Sequence, residues 1–184
     1  YERGWTDGLP VVPPTPERVA RLLAGTTRPP GAVLGPMPPK LGITTIEKLA
    51  INAVMAGCGP EHMPVVIAAM EAMLEPAFNL GGCQATTHPV APLVVVNGPV
   101  AQQLGIACEH NCFGQGHRAN AVIGRALRLA LTNIGGGVPG KRGGARPAGG
   151  DPAAAGCVRG VRAGSAPRAR RGGRAGLAGV AGSA

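Results

Sequence analysis

Beyond residue 140 the chain loses the means to build a core, and this break limits its fold more than any motif does. Residues 141–184 hold 12 Gly, 12 Ala, 8 Arg and 3 Pro among 44 positions, with neither helical nor alternating apolar periodicity. Such a stretch buries too little surface to offset its ordering entropy, so a disordered tail is expected there. The charge divides at the same place. Of 18 Lys and Arg, nine lie in residues 1–140 against eight carboxylates, and nine lie in the tail against Asp151 alone. The formal charge of +9 is thus a property of the tail, and the preceding piece is close to neutral.

A basic Arg-Gly arm suggests a phosphate-tracking segment, but arms of that kind interleave aromatic rings for stacking. Phe, Tyr and Trp are absent after Phe113. Nucleic acid is therefore not the expected partner. Gly, Ala, Arg and Pro are also residues whose codons can begin with two G/C bases, the composition that an out-of-frame reading of GC-rich DNA produces. A frameshift near codon 140 is the expectation that follows. A chain opening on Tyr1 rather than Met suggests in turn that a part precedes it.

Within residues 1–140 the length allows one domain. With aromatics at only 2% of the chain, its interior has to be built from Ala, Val, Leu, Ile and Met. Apolar residues at three- and four-residue spacing predict helices over 16–24, 45–56, 60–74 and 119–133, with a short one over 99–104. Thr15 and Pro16 suit the first helix start, and Glu47 and Glu61 sit in first turns, where a carboxylate meets the positive end of the dipole. The Leu93 to Val96 run, bounded by Pro92 and Asn97-Gly98, reads as a buried strand. Residues 25–42, with five prolines and four glycines, read as a surface loop, and 78–88 as a polar, β-permissive stretch. The fold expected is α/β or α+β, helices packed on a small, largely buried sheet.

Four clusters carry chemistry. Gly114-Gln-Gly-His-Arg118-Ala-Asn120 is a glycine loop feeding a helix, where free N–H groups with Arg118 and Arg125 suit an anion. It lacks the Gly-Lys-Ser/Thr of a phosphate-binding loop, and a plain helix cap is the alternative. Gln84-Ala-Thr86-Thr87-His88 gathers an amide, two hydroxyls and an imidazole before the strand, able to orient a substrate or move a proton. A histidine that only bonds a backbone carbonyl is the competing role. Cys58-Gly-Pro-Glu61-His62 places a thiol at a helix start, where the dipole favours thiolate, although a cysteine is equally at home as a small buried hydrophobe. Cys108-Glu-His110-Asn-Cys112, with His117 nearby, has ligand types for zinc but only one cluster of them, and no metal site is expected.

Several segments taken together resemble the C-terminal region of the UGSC family of (seleno)proteins. They are Tyr1 to Thr15, Lys48 to Cys58, Gln84 to Pro92, Val96 to Pro99 and Arg118 to Arg125, so that the match covers residues 1–140. The resemblance implies an upstream domain whose selenocysteine-Gly-Ser-Cys or Cys-Gly-Ser-Cys element does thiol or selenol chemistry. This chain contains no Cys-Gly-Ser-Cys. The resemblance also implies a continuing domain, with acidic and aromatic residues, where the tail stands here; the Cys108/His110/Cys112 cluster is outside the family pattern.

The function expected is a cytoplasmic, redox-linked enzyme domain handling a small anionic or thiol-bearing substrate. Cys58 is the candidate thiolate, Glu61 and His88 the acid/base groups, Gln84, Thr86, Thr87 and Asn120 the orienting groups, and Arg118 with Arg125 the anion contact. The alternative is a non-catalytic binding or assembly domain serving a separate redox module. No apolar run reaches the 18 residues of a membrane span, so a membrane is not an expected partner. No cofactor is readable from the sequence.

Overall fold

The computed structural model describes residues 2–86, 90–108, 110–138 and 158–160. Thr45 starts the central helix: its backbone is extended and its hydroxyl accepts the Lys48 N–H at 3.3 Å. Helix α2 (Ile46–Ala56) follows and ends where Gly57 takes a left-handed φ of 93°, a conformation that favours glycine. Helix α1 (Pro16–Leu23) precedes it and sends Val19 and Leu22 inward. A single 3-10 turn at Pro60–His62 leads into α3 (Met63–Leu74). The longest helix, α6 (Arg118–Asn133), packs along α2, and α3 lies against both.

The interior is therefore helix on helix. Ile46, Leu49, Ala50 and Ala53 of α2, Ile123, Ala126, Leu127 and Ala130 of α6, and Met63, Met70 and Met73 of α3 are buried in one apolar cluster where these helices pack. All five methionines are buried, filling gaps that aromatic rings fill in other cores. Polar ties cross this interface too: Asn133 donates to the buried Asn52 amide oxygen at 2.7 Å and to the Trp5 carbonyl at 3.0 Å.

Residues 25–42 are not wholly loop. Strand β1 (Val33–Met37) pairs antiparallel with β2 (Gly42–Thr45), placing Pro36 opposite Ile43, and the hairpin buries Met37 and Thr44 while Val33 and Ile43 face out. A two-stranded ribbon has only edge positions, which is why it tolerates proline. Residues 78–85 also differ from expectation. A 3-10 turn at Pro76–Phe78 is followed by a six-residue helix, α4 (Leu80–Ala85), capped by Asn79, whose side chain accepts the Gly82 N–H. The expected strand is β3 (Val94–Val96), and α5 (Pro99–Gln103) follows it. In the tail only 158–160 are described. They form β4 (Val158–Gly160), which runs parallel to β3 with Val94 opposite Val158 and lies against α6; the rest of the tail expectation lies outside the described residues. The architecture is α+β: six helices with two small two-stranded sheets among the described residues.

Candidate functional site

Helix α6 is the element that sorts the predicted residues, because three groups of them reach it at three heights. In its first turns Arg118 donates to the Gly57 carbonyl at 3.0 Å, closing the end of α2. Here the structure brings Cys58, Glu61 and Arg118 together, joining residues of two separate sequence clusters. The expected thiolate does not survive this placement. Cys58 donates its S–H to the Val122 carbonyl at 3.4 Å, and burial pushes the thiol up to about 12, with the Glu61 carboxylate adding to the rise and Arg118 opposing it. A thiol so placed stays protonated at neutral pH and behaves as a small core residue.

Glu61 lies exposed over Gly59, 3.4 Å from Nδ1 of His62. The His62 ring is buried, and the same Nδ1 accepts the Gly59 N–H at 2.9 Å. The imidazole therefore closes the turn between α2 and α3. Asn120 is corrected as well. It is buried, its Nδ2 donates to the carbonyls of Ala107 and Cys112, and its Oδ1 accepts the Ala107 N–H, so its amide holds the preceding loop rather than a substrate.

Two turns further on, Arg125 is engaged from inside the molecule. Its Nε and Nη2 meet both oxygens of Asp7 at 2.9 and 2.8 Å, and Nη2 also reaches the Leu9 and Pro10 carbonyls. The pair is largely buried, with 18% of the arginine and 12% of the aspartate side chain exposed. Arg125 holds the Asp7 carboxyl below its ordinary 3.8. The predicted anion contact is thus a clasp for the N-terminal segment.

The third height is the one that the residue pattern missed. Arg128, three positions beyond Arg125, is half-buried; burial disfavours its charge, and the Asp7 carboxylate acting on it opposes that effect in part. Its Nη1 donates to Gln84 Oε1 at 3.4 Å, a long bond. Among the described residues no carboxylate lies within ion-pair distance of it. The other end of the Gln84 amide is buried: Nε2 has no hydrogen-bond partner among the described residues. Gly137 makes room for this amide, since a Cβ there would stand 3.0 Å from Nε2. Thr86 ends α4 beside Gln84, its N–H bonded to the Gly82 carbonyl. Thr87 and His88 lie outside the described residues. The eight residues from Asn120 to Arg128 correspond to roughly 12 Å along the helix, so the glycine-loop cluster and the Gln84 cluster meet α6 at separate levels.

The remaining features do not join these levels. An open groove of about 530 Å³ lies between the end of α1 and α3, crossed by the Arg28–Glu71 ion pair, and none of the predicted residues lines it. Among the described residues no group of three or more His, Cys, Asp or Glu is placed to hold a metal ion. Comparison with known proteins brings no match to a family model, a curated protein or a solved structure. The UGSC resemblance accordingly rests on the sequence motifs alone.

Proposed function

We propose that this chain is the ligand-binding part of a redox-linked system, and that it takes a small anionic molecule at the corner formed by Gln84 and Arg128. The observation that carries this reading is Gln84 Nε2, a buried donor with no partner among the described residues, on the same amide that accepts from a half-buried arginine. Leaving such a donor unmade costs about 1–3 kcal/mol. A carboxylate seated there would accept from both the amide and the guanidinium fork, recovering that cost as charge-assisted hydrogen bonds. The link to thiol or selenol chemistry is carried by the UGSC resemblance, whose implied partner is an upstream redox module. Cys58 has no part in this reading as a nucleophile, because its thiol stays protonated.

Calorimetric titration of the chain with acetate, succinate and inorganic phosphate tests it. At least one of these is expected to bind saturably, and Arg128→Leu or Gln84→Leu to weaken that binding about tenfold or more, as loss of one hydrogen bond to a charged group implies. Equal binding by both variants, or no saturable binding of any of the three, would refute it.

A further inference from the structure

Two thiols have no role in the account so far. Cys108 and Cys112 are both partly exposed and unbridged, in the loop that leads into α6. One side chain governs the path of that loop. Asn120 Nδ2 donates to the Ala107 carbonyl at 2.9 Å and to the Cys112 carbonyl at 3.1 Å, while Oδ1 accepts the Ala107 N–H at 2.9 Å. A single nitrogen can meet both carbonyls only if the backbone doubles back between them. The reversal is fixed further by Asn111, which has a left-handed φ of 56°, accepts the Gly114 N–H through its carbonyl at 2.9 Å, and donates through its side chain to the Gln115 carbonyl at 2.7 Å. Sharing one nitrogen, the Ala107 and Cys112 carbonyls lie close together, which draws two cysteines four positions apart toward the Cα separation of about 4.4–6.8 Å that a disulfide requires.

We propose that Cys108 and Cys112 form a redox-active dithiol that closes to a disulfide within this loop by exchange with a small-molecule disulfide. One thiolate attacks the small disulfide, forms a mixed disulfide and expels the first small thiol. The second attacks the protein sulfur of that mixed disulfide and expels the second. The cysteines together give up two electrons, the small disulfide takes them, and the two cysteine protons leave with the released thiols. The other described cysteines are placed differently: Cys58 is tied to the Val122 carbonyl and held protonated, and Cys83 points its sulfur to the Phe78 carbonyl at 3.9 Å. This inference is independent of the anion corner on α6.

The test equilibrates the intact chain with graded mixtures of reduced and oxidised glutathione, traps free thiols with an alkylating agent under denaturing conditions, and maps the cysteines by mass spectrometry. The expected product is a peptide that carries residues 108–112, is lighter by two hydrogens and is unalkylated, with Cys58 and Cys83 alkylated. The equilibrium constant is expected to exceed that of a synthetic peptide of residues 105–117 by about tenfold, because the Asn120 clamp pre-forms the reversal. Stable mixed disulfides on the two cysteines separately, or bridges from either to Cys83, Cys157 or a second chain, would overturn the proposal. So would an equilibrium constant no larger than the peptide's.

Discussion

Arg125 and Arg128 stand one helical turn apart on α6, yet the structure treats them in opposite ways. Arg125 grips both oxygens of Asp7, adds two backbone carbonyls, and fixes a segment 118 residues away in sequence. Arg128 reaches one amide oxygen at 3.4 Å, and the far end of that amide is a buried donor with no partner among the described residues. A guanidinium whose fork is filled from within is a structural strut. One left half-buried, with no carboxylate at ion-pair distance among the described residues and a second unmatched donor beside it, is where an external anion gains most.

The comparison breaks first at Arg125. Arg125→Ala strands Asp7 as a largely buried carboxylate, and urea denaturation is expected to show a loss of about 3 kcal/mol, the lower end for removing one partner of a buried pair. The same pair sets an acid dependence. Because Asp7 titrates below its ordinary 3.8 in the folded chain, its contribution is complete above that value and is lost as the pH falls from it through the lower folded pKa. Stability measured from pH 6 down to pH 2 should show this loss in the parent and lack it in Asp7→Asn. At the opposite corner the effects on folding are small. Arg128→Leu is expected to change stability by less than about 1 kcal/mol, since among the described residues it makes no contact ion pair and one long hydrogen bond, to Gln84. Gln84→Leu, which removes the unmatched Nε2 donor together with the long bond that Oε1 accepts from Arg128, should stay within about 1 kcal/mol. A large stability loss at either position in the ligand-free chain would make that corner a strut like the other.

What the sequence made legible follows the range of the interactions. Helical periodicity located α1, α2, α3 and α6 to within one or two residues, apart from the first turn of the third, which is 3-10, because each has an apolar stripe that depends on near neighbours only. Helix α4 was hidden by Gly81 and Gly82; the usable signal was Asn79, whose side chain caps the Gly82 N–H. The β1–β2 hairpin was hidden by its prolines, which argue for loop unless the strand is an edge. For the site, the Cys58–Glu61 neighbourhood was readable, since the two are close in sequence; the approach of Arg118, 60 residues beyond Cys58, was not. The environment of Cys58 was not, because a helix start predicts a lowered thiol pKa, whereas contact with Val122, 64 residues on, buries it. The Arg125 partner was equally distant. Arg128 carried one usable sign, its three-residue spacing from Arg125 on the same helix.

Side-chain amide NMR of Gln84 during titration with succinate tests the distinction most directly. The account predicts that the Gln84 Nε2 resonance moves saturably and that the Arg125 Nε resonance stays in place. A Gln84 signal that does not respond while Arg125 shifts, or silence at both, would contradict it.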